Sequence, residues 1–133
     1  ACARCGPELR LLGARSGKTI AKGGEALKKT VGLLVRGKIV AVKGIGGFHL
    51  ACDALNGPAV RRLRKRKYRE DKPFALMADS VKTIETFCSV SRKEKELLRS
   101  TARPIVLLKK KKGMRVAAQA APSADNLGFM LPY

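Results

Sequence analysis

The 133-residue chain has the length of one ordinary domain, and its 45% hydrophobic content is enough to build a core, which excludes wholesale disorder. With no tryptophan and only 5% aromatic residues, that core has to be aliphatic. The 29 lysines and arginines against 10 carboxylates give a net charge of +19, a balance that draws polyanions and leaves nucleic acid, nucleotides, an anionic membrane and acidic proteins open as partners.

The longest apolar runs, such as Phe74–Ala78 and Pro104–Leu108, fall far short of the roughly 20 residues of a membrane-crossing helix. No signal peptide is visible. Four cysteines, two of them in a C-x-x-C, do not make a dense disulfide framework, so a reducing, cytoplasmic home is expected. The chain opens on Ala-Cys-Ala-Arg-Cys without an initiator Met and stops inside a strand-like run, so both ends are expected to be cuts within a longer polypeptide.

In chain order, residues 1–9 form a knuckle-like turn. Residues 13–24, rich in Gly, Lys and Ser, read as a linker in which Ile20 can start a short strand. From Glu25, Leu27, Val31, Leu34 and Val35 recur at helical spacing, and Gly37 closes the pattern as a C-cap would. The β-branched Lys38–Lys43 run predicts a short buried strand. Gly44, Gly46 and Gly47 make a tight loop, and Phe48–Cys52 resumes an extended run. Asn56-Gly57-Pro58 starts a helix reaching about Lys67, with Ala59, Val60 and Leu63 on its apolar face. Phe74–Ala78 is a buried strand, Ser80–Phe87 and Ser91–Arg99 are two helices, and Ser91 with Glu94 fits a capping box. Pro104–Leu108 is a strand, Lys109–Lys112 a basic surface turn, and Leu127–Leu131 a last strand. Strands alternating with helices predict an α/β fold with a mixed or parallel sheet.

Several motifs carry candidate chemistry. Cys2 and Cys5 span a tight turn and suit one side of a tetrahedral zinc ion, which needs two more ligands than this pair provides. Gly13-Ala-Arg-Ser-Gly17-Lys18-Thr19 misses the phosphate-loop pattern by one residue, and no buried strand leads into it. Lys43-Gly44-Ile45-Gly46-Gly47-Phe48-His49 is more informative. Glycines after a strand let backbone N–H groups form an anion nest, Lys43 adds a charge, and His49, the sole histidine, can donate a hydrogen bond or move a proton. A tight turn with a half-buried histidine fits the same residues equally well. Arg61–Lys72 holds eight cations in twelve residues. Such a run is commonly a solvated helix face. Its last members, Lys67, Arg69 and Lys72, leave the helix for a loop before a strand, where phosphates are held in α/β sheets. The carboxylates form no catalytic pair, the serines no nucleophile elbow, and Cys52 and Cys88 sit in apolar runs.

Taken together, Cys2-x-x-Cys5-Gly-Pro, the Gly37–Ala54 block, Arg64-x-Arg-Lys-x-Arg-x-x-Lys-Pro-Phe74, Arg103-Pro-Ile-Val-Leu-Leu108 and Leu127-Gly-Phe-Met-Leu-Pro-Tyr133 resemble the HypF carbamoyltransferases that mature nickel-iron hydrogenases. The match spans essentially the whole chain. The resemblance implies a YrdC/RibB-like twisted mixed sheet flanked by helices and truncated at its C-terminus. The implied layout is the C-terminal half of a zinc knuckle at 1–12, a linker at 13–24 and a partial YrdC-like domain at 25–133. Cys2 and Cys5 would be half of a Zn2+ site completed upstream in the parent protein.

The same domain is similar to threonylcarbamoyl-AMP synthases. The resemblance implies a nucleotide and substrate site drawn from Lys43, Gly44, Gly46, Gly47, His49, Lys67, Arg69, Lys72 and Arg103. It implies ATP with Mg2+, carbamoyl phosphate or carbamate as substrate, carbamoyl-AMP as product, and a cysteine of the partner HypE as final acceptor. Ser123 departs from the family, which has Gly after Ala-Pro. A double-stranded RNA-binding module is the competing reading. Few aromatics are present for base stacking, so RNA would be held by shape and phosphate. No membrane association is expected.

Overall fold

The computed structural model describes residues 6–44 and 46–133. The chain divides into two compact units, residues 1–53 and 54–133.

The first unit opens with antiparallel strands β1 (Arg10–Leu12) and β2 (Thr19–Lys22), with Leu11 opposite Ala21. Residues 13–24, expected to be a linker, hold the turn of this pair, all of β2 and the first helical residues. The cause is local. The Gly13 N–H donates to the Lys18 carbonyl at 2.9 Å and the Gly17 N–H to the Gly13 carbonyl at 2.8 Å. Gly17 takes a φ of +64°, which glycine adopts without a steric penalty. The segment leads from strand to strand, the wrong context for a phosphate loop.

Helix α1 (Gly23–Val35) follows. It ends as the sequence predicts, with Gly37 left-handed at φ +70°. The N–H groups of Gly37 and Lys38 satisfy the carbonyls of Leu34 and Leu33, the two-bond glycine cap. Ala26 is the helix's buried residue, while Leu27, Val31 and Val35 are exposed. Strands β3 (Val40–Gly44) and β4 (Gly47–Ala51) form an antiparallel ribbon from Val40 opposite Ala51 to Gly44 opposite Gly47. The buried strand expected at Lys38–Lys43 is instead largely exposed. Among the described strands β3 pairs with β4 alone, so a two-stranded ribbon covers neither of its own faces.

The second unit carries the larger core. Helix α2 (Gly57–Arg66) is capped by Asn56, whose side chain accepts the Ala59 N–H at 2.9 Å, with Pro58 in the first turn. Its buried face is Ala59, Val60 and Leu63, the three residues read from the periodicity. Strands β5 (Ala75–Met77), β6 (Val106–Lys109) and β7 (Asn126–Met130) form a mixed sheet in the order β5-β7-β6, parallel between β5 and β7 and antiparallel between β6 and β7.

Alternation along the sheet puts Leu76, Leu108, Leu127 and Phe129 on one buried face. Helices α3 (Val81–Phe87) and α4 (Arg92–Arg99) bring in Ile84 and Leu98, both fully buried, and the Phe87 ring stacks on Phe129 with centroids 6.1 Å apart. Each such aliphatic side chain contributes about 1.5–3 kcal/mol by leaving water. The α4 capping box forms as expected: Ser91 accepts the Glu94 N–H, and the Glu94 carboxylate accepts the Ser91 N–H at 2.7 Å.

The α/β class with a mixed sheet is therefore as predicted, with the strands distributed over three small sheets. One local expectation changes. Lys109–Lys112 is not simply a solvated turn. Lys109 closes β6, the half-buried Lys110 ammonium donates to the carbonyls of Ala121 and Ala124, and Lys111 donates to the Glu85 carbonyl. A ladder of backbone oxygens has captured two of the cations.

Candidate functional site

The expected site residues fall on both units. In the first, Lys43, Gly44, Gly47 and His49 all lie on the β3–β4 ribbon, with Gly46 in its turn. Strand alternation separates them. Lys43 and Phe48 share one face, where the ammonium lies 5.2 Å from the ring centroid. Gly44, Gly47 and His49 share the other. Lys43 and His49 therefore leave the ribbon in opposite directions.

Gly44 also has a more particular role than backbone approach to a ligand. A Cβ built there would come within 3.1 Å of the His49 imidazole, so the missing side chain makes room for that ring.

In the second unit the candidate site is the segment that links α2 to β5. Lys67 ends the helix, its N–H donating to the Leu63 carbonyl at 3.0 Å. Tyr68 then takes a left-handed φ of +47°, unusual for a residue with a Cβ, and is 95% exposed. What orders this turn is Arg64, one helical turn earlier. Its Nη1 donates to the carbonyls of Arg69 at 2.7 Å, Glu70 at 2.9 Å and Lys72 at 3.3 Å. Its Nε and Nη2 donate to the Gln119 carbonyl at 2.9 and 2.6 Å, and Nη2 also reaches Ala120. Its guanidinium carbon sits 4.7 Å from the Phe74 ring centroid.

Hydrogen bonds to a charged donor contribute about 1.5–3 kcal/mol each. Fixing the backbone costs about 1–2 kcal/mol per residue. One side chain thus offsets much of the cost of ordering the loop.

Arg69 packs on the same ring at 5.3 Å and spends two of its five donors on the carbonyls of Lys72 and Pro73, both at 3.0 Å. Lys67 and Lys72 remain exposed. Beside the loop lies an open groove of about 540 Å3 lined by Arg61, Arg64, Lys65, Tyr68, Arg69 and Glu70. Four cations against one carboxylate make it electropositive. Of the residues singled out from sequence, Arg69 lines this groove and Lys67 and Lys72 do not. Tyr68 was missed, and Arg61 and Lys65 read from sequence as part of the solvated helix face. The spacing of Arg61 and Lys65 on one helical face was a usable signal, whereas the backbone angle of Tyr68 was not.

Arg103 lies elsewhere in the second unit, in the turn between α4 and β6. It too is left-handed, at φ +44°, and its guanidinium turns back onto the Leu98 carbonyl at 3.4 Å.

Cys2 and Cys5 lie outside the described residues. Among the described residues no group of three or more His, Cys, Asp or Glu side chains is placed to hold a metal ion. Cys88 is buried, and burial pushes its thiol above the usual range despite the nearby cations of Lys110 and Lys111. Cys52 is half-buried. Among the described residues no helix is long and apolar enough to cross a membrane.

Comparison with known proteins adds a family. The model of the Sua5/YciO/YrdC family, described as "Telomere recombination", matches residues 32–133. Carbamoyltransferase HypF2 of Cupriavidus necator is 50% identical over 110 residues, covering 82% of this chain and 14% of that protein. The crystal structure of T.kodakarensis HypF superimposes over 100% of this chain and 17% of its own, with a TM-score of 0.91 and 45% identity. A full-length HypF in a phosphate- and nucleotide-bound form matches over the same shares with a TM-score of 0.82 and 45% identity. The chain spans 14% to 17% of the length of these relatives. The resemblance read from the sequence is borne out by them.

Proposed function

Because the chain belongs to the Sua5/YciO/YrdC family, we propose that its α2–β5 loop holds the phosphates of ATP as part of a HypF-type carbamoyltransferase. The observation that carries this reading is an ordered loop of three cations. Arg64 and Phe74 fix its backbone, Arg69 keeps donors to spare, and Lys67 and Lys72 stand in solvent. The nucleotide-bound form of a relative at 45% identity supports the ligand class.

The chemistry follows from charge. Carbamate, released with inorganic phosphate when water hydrolyses carbamoyl phosphate, attacks the α-phosphorus of ATP through a carboxylate oxygen. The bond to the pyrophosphate oxygen breaks, and carbamoyl-AMP and pyrophosphate result. Catalysis of this kind rests on positioning and on neutralising phosphate charge, and lysines, a guanidinium and backbone donors supply both without a protein nucleophile. Mg2+, arriving with the nucleotide, would add to the neutralisation of phosphate charge that Lys67, Arg69 and Lys72 supply. Arg103, in the same unit, belongs to the proposal as a secondary contact, and Lys43, His49 and the ribbon glycines are proposed as ligand-binding residues of the first unit. Since Lys43 and His49 face opposite ways, one of the two is expected to matter more than the other. The carbamoyl group would pass to the sulfur of a HypE cysteine, the thiol losing its proton and AMP leaving, in a cytoplasmic protein whose Zn2+ site includes Cys2 and Cys5.

The test is pyrophosphate exchange into ATP by the longer parent protein. Exchange should require carbamoyl phosphate and should vanish in Lys67→Ala and Arg69→Ala. Exchange that survives both substitutions would sink the assignment.

One observation favours a second reading, binding of double-stranded RNA. Arg61 and Lys65 stand one helical turn apart on the exposed face of α2, a spacing that can follow a phosphate backbone. Such binding should weaken steeply with salt. A nucleotide site should respond less.

A further inference from the structure

Arg64 looks at first like one more cation of the groove, yet its geometry excludes that use. A guanidinium has five N–H groups. In Arg64 they make six contacts, to the carbonyls of Arg69, Glu70, Lys72, Gln119 (twice) and Ala120. No N–H is left to meet a phosphate. All the acceptors are backbone oxygens on two stretches of chain, the 69–72 loop and the turn at Ala118–Ala120. The Phe74 N–H ties the same two stretches together by donating to the Ala120 carbonyl at 2.8 Å.

We infer that Arg64 is a positioning residue. It clamps the 67–73 loop to the 118–120 turn and thereby sets where Lys67, Arg69 and Lys72 present their charges. The left-handed Tyr68 is the visible result of the clamp, since the chain must reverse there to bring the carbonyls of Arg69, Glu70 and Lys72 onto one Nη1. The inference rests on the nucleotide reading for its consequence, but the clamp itself does not. Lysine cannot replace this fork, because one ammonium cannot serve two stretches of backbone at once while stacking flat on Phe74.

The chain offers a direct reporter. It has two tyrosines and no tryptophan. Tyr133→Phe leaves Tyr68, inside the clamped loop, as the single fluorescent residue. In that background, Arg64→Lys should lower the fluorescence anisotropy of Tyr68 and weaken ATP binding at least tenfold. Lys67→Ala should weaken binding as much and leave the anisotropy unchanged.

Normal ATP affinity in Arg64→Lys would overturn the inference, and so would lost affinity at unchanged anisotropy, which would mean that Arg64 touches the ligand. If the parent background itself fails to bind ATP, the nucleotide reading falls, and the anisotropy comparison alone decides whether the clamp exists. Should Arg64→Lys lose its cooperative thermal transition, Phe74→Leu serves instead. It removes the ring beneath the guanidinium and should shift both readouts in the same direction by a smaller amount.

Discussion

The β3–β4 ribbon and the α2–β5 loop both stand out in the sequence as candidate binding segments, yet they are built on opposite principles. The ribbon is regular backbone with little beneath it. Val42, Phe48 and Leu50 are each more than two-fifths exposed, and the ribbon's stability comes from pairing two strands. The loop has no regular hydrogen-bond pattern, but the carbonyls of Arg69, Glu70, Lys72 and Pro73 are all engaged by guanidinium groups. Glycines mark where a chain can bend. They do not say whether anything holds the bend. A half-buried arginine that spends itself on backbone oxygens does. The more trustworthy site is therefore the irregular one, because its geometry is over-determined.

That contrast can be broken most strongly in the core of the second unit. Leu98→Ala should cost about 2–5 kcal/mol in a urea titration, since a fully buried leucine leaves a cavity. Val35→Ala, at a position 71% exposed, should stay within about 0.5 kcal/mol. Equal costs would mean that the exposed α1 face is buried in solution.

Next in size is the α4 cap. Ser91→Ala removes the acceptor of the Glu94 N–H and should cost about 1 kcal/mol. The Ser91 hydroxyl and N–H hold the Glu94 carboxyl below its ordinary value, and the hydrogen bond from Lys95 does the same for Glu85. For carboxyls with lowered native values the sign is fixed. Their stabilisation is complete above the unfolded glutamate value and is lost as pH falls through the native one. A stability profile should decline on that acid limb, and Ser91→Ala should flatten it. A slope unchanged by the substitution would remove the cap from the account.

The smallest expected effect is Gly44→Ala. The new methyl would meet the His49 ring at 3.1 Å, so the imidazole must shift by a few tenths of an ångström. The His49 side-chain NMR signals should move while the melting temperature stays nearly constant.

Much of this molecule was legible one residue at a time. Asn56 with Pro58, Ser91 with Glu94, and Gly37 mark helix ends because capping is a local hydrogen-bonding event. The sheet order β5-β7-β6 was not legible, since it pairs Ala75 with Gly128 across more than fifty residues and no local signal records the partner. The charge run was read correctly as two populations, helix face and loop. Its decisive member was overlooked because the acceptors of Arg64 are main-chain oxygens, which look the same under every side chain. The left-handed backbone at Tyr68 was hidden for a related reason: a position that ordinarily selects glycine is held here by a neighbour.

The central claim is that the three loop cations hold nucleotide phosphates, and calorimetric titration of ATP into the chain and into Lys67→Ala/Arg69→Ala tests it most directly. The account predicts at least a tenfold loss of affinity in the double variant, with the urea midpoint of the second unit moved far less than by Leu98→Ala. Equal affinity in the two proteins would contradict it.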